Sequence, residues 1–332
     1  MKARVLRLHE FKGIDGIHLD EVEIGEPGPN EVRIAVEAFS LNYGDFELFE
    51  DKYMFSLDLP ARFGDECSGI IDAVGENVDN FKIGDAVSTL PWMNEGYGVD
   101  GEFAIVPADF VAHYPSNLSP SEACCIWVAY LTAYYALVEI ASVHADDWVL
   151  ITAGSSSAGL AAMETCRMFG AKTIATSRTS QNQEFLLQAG FDHVIAQDAG
   201  QLAAQILKYS QNEGTRIIYD PIGGKIVQDY APALAQNAII FLYGGMDPSP
   251  TILPEIEMTQ KAACLRPFSV FNHIDEKPSR DRGVRFVYEA LEKGDLLSHV
   301  EKVYPLEEFR EAFEDQKKSV ARRGKMVIST KS

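Results

Sequence analysis

Cationic side chains are scarce in this chain: 29 Lys and Arg stand against 49 Asp and Glu, a formal net charge of −20 over 332 residues. A field of that sign repels phosphate backbones and anionic lipid surfaces, so neither nucleic acid nor a membrane is expected as a partner. Cysteine is sparse as well. Cys67, Cys124, Cys125, Cys166 and Cys264 form no C-x-x-C pair and have no histidine at ligand spacing, which speaks against a disulfide framework and a cysteine-built zinc site. The first ten residues carry Lys2, Arg4, Arg7 and Glu10 instead of an apolar leader. No run reads as the ~18 apolar residues of a membrane span, and the expectation is a cytoplasmic protein with reduced thiols. What is present, 46% hydrophobic and 23% charged residues, suffices for two cores, so two domains are expected.

Residues 1 to about 120 read as strands and turns. Residues 33–38 alternate, 68–74 form a short apolar run, and Gly25-Glu26-Pro27-Gly28-Pro29-Asn30 and Lys82-Ile83-Gly84-Asp85 supply turn chemistry. From Pro120 the pattern becomes helical through residue 140, and buried strands then alternate with helices. Strands are expected at 148–151, 173–176, 193–195, 216–219 and 238–242, and helices at 160–169, 183–188, 202–210 and near 226–235. That rhythm belongs to a doubly wound parallel sheet. After Phe268 it stops, leaving a helix at 282–293 and a terminal strand at 325–329. The expected fold class is α/β, with a Rossmann doubly wound domain over 122–267 inserted in a mostly β domain made of 1–121 and 268–332.

Between the first strand and first helix of the second region stands Ala153-Gly154-Ser155-Ser156-Ser157-Ala158-Gly159, which fits G-x-G-x-x-G with Ser156 in the middle glycine slot. The pattern alone is weak, and its strand–turn–helix setting strengthens it. Small residues let the backbone approach a pyrophosphate, and a helix N-terminus offers unpaired N–H groups and partial positive charge. A serine-rich cap on a helix without a ligand would share the pattern but not the βαβ frame. An NAD site places an acid about 20 residues beyond the turn, at the end of the second strand. Here that strand ends in Ser177-Arg178-Thr179. Arg178 can pair with a 2′-phosphate to which Ser177 and Thr179 donate, so NADP(H) is favoured over NAD(H).

Several ordered segments resemble the medium-chain dehydrogenase/reductase superfamily, specifically its zinc-independent NADPH:quinone oxidoreductase (zeta-crystallin-like) branch. They are Ser40-Leu41-Asn42-Tyr43-Gly44-Asp45, Gly64-Asp65-Glu66-Cys67-Ser68-Gly69, Val74-Gly75, residues 81–87, Gly101-Glu102-Phe103, Leu131-Thr132-Ala133-Tyr134, Asp220-Pro221-Ile222-Gly223-Gly224 and Gly324-Lys325-Met326-Val327. The resemblance covers nearly the whole chain. It implies that the mostly β domain is GroES-like and catalytic, that the Rossmann domain binds NADP(H), and that the protein is a homodimer. It further implies cofactor contacts at Asn42, Thr132, Gly154, Ser155, Ser156, Ser157, Ala158, Gly159, Ser177, Arg178, Thr179, Tyr243, Gly244, Phe268, Val270, Phe271 and Lys325. For Tyr243 and the 268–271 segment, plain core packing explains the residue types equally well.

In the superfamily's zinc enzymes the catalytic ligands align with Asn42, Asp65 and Val128, and none of these is Cys or His. The resemblance therefore implies operation without a metal, with Glu66 anchoring a turn. Without a Lewis acid the expected acceptor is one whose reduced form spreads its own negative charge, a quinone or an α,β-unsaturated carbonyl compound. Tyr43, Tyr53 and Asn42 are the candidate catalytic donors, with Tyr130 a further tyrosine in reach of this role. No general acid is identified, and His113 and His144 are expected at the surface. The competing readings are an enoyl-thioester reductase of the same superfamily and a cofactor-binding protein without catalysis.

Overall fold

The computed structural model describes residues 1–92, 96–197, 200–318 and 322–331. The chain divides into two compact units, one comprising Met1–Val128, Ile274–Gly294 and Ser298–Ser332, the other Ala129–His273 and Asp295–Leu297.

The second unit is built on a six-stranded sheet in the order His193–Ala196, Lys172–Ser177, Trp148–Ile151, Thr215–Asp220, Leu234–Leu242, Cys264–Pro267, with every neighbouring pair parallel. Numbered along the chain this is 3-2-1-4-5-6, the doubly wound order. Its register aligns Ile174, Leu150, Ile218 and Ile240 in one row across four strands, and all four are fully buried. Each such side chain contributes roughly 1.5–3 kcal/mol on leaving water.

The first unit carries a seven-stranded sheet that is antiparallel apart from its terminal pair, Val300–Pro305 beside Lys325–Ser329. A three-stranded antiparallel sheet completes it. Its core includes edge-to-face rings, Phe49 with Phe63 at 4.8 Å and Phe49 with Phe313 at 5.3 Å. The Phe49–Phe313 pair fastens the short helix Gly44–Phe49 to the helix Phe309–Lys318, next to the loop at Asn42 and Tyr43.

The structure departs from the sequence reading at several elements. The helix expected near 226–235 ends at Tyr230, since Pro232 supplies no backbone donor, and a strand begins at Leu234. The helix expected from residue 282 starts at Lys277, with Pro278 in its first turn, where its missing N–H costs nothing. The strands Cys264–Pro267 and Val300–Pro305 and the helices Glu255–Lys261 and Phe309–Lys318 have no counterpart in the sequence reading. The helical stretch 120–140 is three pieces: Pro120–Ala123 with a Ser119/Glu122 capping box, Trp127–Ala133, and a π-helical segment Tyr134–Ile140. Contrary to expectation, this stretch is long and apolar enough to cross a membrane by length and composition. Its most apolar window is 78% buried inside the fold, as a core helix would be. All five cysteines are free, and Cys264 alone is exposed.

Candidate active site and dinucleotide turn

In the second unit, the strand Trp148–Ile151 feeds a tight turn and then the helix Ser157–Met168. Ser156 caps that helix, its hydroxyl accepting from the Gly159 amide at 3.1 Å. The Gly154 amide donates to the Thr176 carbonyl at 2.9 Å. A Cβ at Gly154 would stand 2.7 Å from that of Ala175, and one at Gly159 would stand 2.6 Å from the Gly154 carbonyl. The turn is therefore closed against the Ala175 side chain at Gly154 and against backbone at Gly159, and both contacts leave room only for glycine. Ser155, Ser156, Ser157 and Ala158 stay partly exposed around the helix N-terminus, and Ser155 accepts from Asn182 Nδ2 at 3.1 Å. This bare, donor-rich backbone fits a pyrophosphate.

At the end of the adjacent strand Ser177 is buried, Thr179 is half-buried and caps the turn that follows, and Arg178 is exposed. The Asp220-Pro221-Ile222-Gly223-Gly224 segment is a structural turn. Asp220 accepts from Thr152 Oγ1 at 2.6 Å, the Ile222 amide at 2.8 Å and Tyr230 Oη at 3.0 Å, while Gly223 and Gly224 take φ of 65° and 61°. Tyr243 lies against Tyr219 at 4.2 Å, Gly244 is exposed, and Phe268, Val270 and Phe271 are buried. Thr132 is buried in the helix Trp127–Ala133. Tyr130 is fully buried with its hydroxyl against Glu164 and the Leu297 carbonyl, a placement that ties the 295–297 segment to its unit and leaves no free hydroxyl for a substrate.

In the first unit, segments far apart in sequence converge on Asn42. Lys325 is buried and forms an ion pair with Glu66, also buried. Its ammonium further donates to Asn42 Oδ1 at 2.7 Å and Ser40 Oγ at 3.1 Å, which accounts for all three of its hydrogens. Glu66 Oε1 accepts from the Val128 amide at 2.7 Å, at the start of the helix Trp127–Ala133, so Glu66 is an anchor. Asn42 Nδ2 donates to Asp65 Oδ1 at 3.0 Å and approaches Glu66 Oε2 at 3.3 Å, and the Asn42 amide N–H donates to Asp45 Oδ2 at 2.7 Å.

Burial, helped by the Asp65 charge, pushes the Asp45 carboxyl up to about 8. Burial and the neighbouring Glu66 push Asp65 up to about 7. Burial alone would depress the Lys325 ammonium, but the charge of Glu66 holds it above its usual value. Tyr53 and Tyr43 are both half-buried, and Tyr53 is raised by burial and by the charges of Asp65, Asp45 and Glu47. Of the sequence-derived candidates, Asn42, Tyr53 and Lys325 thus share one neighbourhood. The weight of Asp45 and Asp65 in it escaped the sequence reading, although both lie in the quoted motifs. His113 and His144 have exposed side chains, at 51% and 57%.

Among the described residues no group of three or more His, Cys, Asp or Glu is arranged to hold a metal ion. The donor set does not suit zinc either: Asn42 and Asp65 bond to each other, the third position is Val128, and the Lys325 ammonium occupies the centre of the cluster.

A doubly wound sheet bearing a glycine turn, in one chain with an antiparallel unit, defines a two-domain dehydrogenase. Residues 28–116 match the alcohol dehydrogenase GroES-like domain family, and residues 158–281 match the zinc-binding dehydrogenase family. The quinone oxidoreductase of Sus scrofa is 28% identical over 324 residues, 97% of this chain and 96% of that protein. The Escherichia coli quinone oxidoreductase solved with NADPH superposes with a TM-score of 0.89 at 22% identity, over 98% of this chain and 99% of that one. The CurK enoyl reductase gives 0.87 at 25% identity, over 98% and 99%. The chain belongs to the medium-chain dehydrogenase/reductase superfamily, in its quinone oxidoreductase branch, and is an oxidoreductase.

Proposed function

We propose that the chain is an NADPH-dependent reductase that delivers hydride to quinones or α,β-unsaturated carbonyl compounds without a metal ion. The observation that carries this reading is the 154–159 turn, where a Cβ at Gly159 would meet the Gly154 carbonyl at 2.6 Å beneath an open helix N-terminus. The full-length likeness to a quinone oxidoreductase supports the acceptor class, and the NADPH-bound neighbour supports the cofactor. NADPH, when bound, supplies the hydride.

The chain's own part is to bind, orient and exclude water. Over Gly154 and Gly159, the amides of Ser155, Ser157 and Ala158 and the hydroxyls of Ser155, Ser156 and Ser157 hold the pyrophosphate, and Ser177, Arg178 and Thr179 hold the 2′-phosphate. Thr132, Tyr243, Gly244, Phe268, Val270 and Phe271 flank the rest of the cofactor. Asn42, Tyr43 and Tyr53 face the acceptor. We assign Lys325 to holding Asn42 and not to the cofactor, because its hydrogens are already placed. The working form is inferred to be a cytoplasmic homodimer with a small-molecule acceptor and no nucleic acid or membrane partner.

A second reading, an enoyl-thioester reductase, is favoured by the likeness to the CurK enoyl reductase. NADPH and NADH oxidation measured against quinones, enones, enoyl thioesters and simple aldehydes, with metal analysis of the same preparation, separates the two. Turnover of quinones or enones by zinc-free protein supports the first reading. Turnover of enoyl thioesters alone supports the second, and zinc-dependent alcohol oxidation sinks both.

A further inference from the structure

Reduction of a conjugated acceptor needs a proton as well as a hydride, and the cluster around Asn42 narrows its source. Glu66 is engaged by Lys325, Asn42, Ser40 and the Val128 amide. Lys325 has no hydrogen left, and the Asn42 amide bridges Lys325 and Asp65. Asp45 is buried and accepts from the Asn42 backbone. Asp65 differs from all of these. Its Oδ1 accepts from Asn42 Nδ2 at 3.0 Å, its own backbone amide holds the carboxylate in place, and it is only half-buried where Asp45 and Glu66 are buried.

We propose that Asp65 is a catalytic residue, the acid that protonates the reduced acceptor, an inference that rests on the reductase reading. Hydride addition brings two electrons and leaves an enolate or a hydroquinone anion. The new C–H or O–H bond then forms as the Oδ2–H bond of Asp65 breaks. Its electron pair stays on the carboxylate, and water returns the proton. NADPH is the sole reductant, and no further oxidant enters. The groups facing Asp65 are Asp45 on the helix Gly44–Phe49, Glu66, Lys325 on the terminal strand, Tyr53 and, at longer range, Asp100. The carboxylates and burial favour the protonated form, and Lys325 and Asn42 oppose it, leaving the carboxyl near 7. At neutral pH a large share of the protein therefore carries the proton to be given.

The test compares wild type with Asp65→Asn and Asp65→Glu for NADPH oxidation with an enone and a quinone between pH 5.5 and 9, alongside NADPH binding by fluorescence. Wild-type kcat should fall about tenfold per pH unit above a limb near 7, and D65N should lose about a hundredfold in kcat and lose the limb. NADPH affinity should stay within about twofold, and D65E should restore the limb and part of the rate. D65N that keeps wild-type kcat and its limb overturns the proposal, as does D65N that weakens NADPH binding in proportion to its rate loss. Should D65N fail to fold, the wild type decides alone: turnover without a limb near 7 and without slowing in heavy water overturns the assignment. A wild type that reduces no acceptor sinks the reductase reading itself, a different outcome from D65N that works as well as wild type.

Discussion

The dinucleotide turn and the Asn42 cluster are held together by opposite means. The turn is local, contained with its neighbours within residues 148–182, and it keeps its shape because side chains are missing at Gly154 and Gly159. The cluster is assembled from four separate stretches, with Glu66 and Lys325 259 residues apart, and it keeps its shape because the buried Lys325–Glu66 pair is present and fully hydrogen-bonded. A turn of the first kind tolerates polar change around it but no added carbon. A cluster of the second kind tolerates changes of size and fails when a charge is left alone.

Removing that charge has the largest expected effect. Lys325→Met leaves Glu66 buried without its partner, which should cost about 3–5 kcal/mol of stability. The double variant with Glu66→Gln should recover a large part of it, because no isolated charge remains. Denaturant midpoints of the two single variants and the double check this, and additive losses would show that the pair is held by packing and not by charge. In the turn the counterpart is Gly159→Val, whose Cβ collides with the Gly154 and Ala153 carbonyls. NADPH affinity should fall about a hundredfold, some 2.7 kcal/mol, while the circular dichroism spectrum is kept. Retained affinity would mean that the turn is softer than its packing implies.

The same contrast decides what could be read from the residues. Five of the six strands of the parallel sheet are legible as short apolar runs between turn signals, whereas the sixth, Cys264–Pro267, is largely exposed and carries an arginine and a proline; the turn is legible because its spacing is its geometry. Element ends are less legible: Pro232 cuts a helix short, and the helix Phe309–Lys318 shows in the sequence only as the spacing of Phe309, Ala312 and Phe313. In the cluster, Asn42, Glu66 and Lys325 each sat in a quoted motif, yet nothing in their spacing says that they touch. Tyr130 had the right chemistry for a donor, but its burial against Glu164 is a property of the fold. The raised carboxyls of Asp45 and Asp65 likewise come from burial and mutual charge.

Asp45 turns that burial into a dependence on pH. Its folded carboxyl, at about 8, binds a proton more tightly than the same group in the unfolded chain. The stabilisation is full below the unfolded value near 3.8 and is lost as pH rises through the folded value. Between pH 5 and 7 the wild type should lose roughly 2 kcal/mol relative to Asp45→Asn, since one proton accounts for at most about 1.4 kcal/mol per pH unit. Urea unfolding of both proteins across that range checks the sign. Parallel curves would show that Asp45 is better solvated than its burial suggests.

The smallest expected effect lies at the rim of the turn, where geometry and charge work together. Arg178 follows the strand Lys172–Ser177 with its side chain exposed, between buried Ser177 and half-buried Thr179. An exposed guanidinium contributes little to stability, so Arg178→Glu should leave the denaturation midpoint unchanged. Its contribution instead depends on the ligand. A 2′-phosphate within its reach gains a charge-assisted contact that a 2′-hydroxyl does not, and a glutamate there repels the phosphate while accepting from the hydroxyl. The variant should therefore raise KM for NADPH about tenfold, some 1.4 kcal/mol, and leave KM for NADH level or lower. Steady-state kinetics with both cofactors and one acceptor measure the ratio directly. An equal rise for both would place Arg178 away from the 2′-position and move the cofactor preference back to the backbone of the turn.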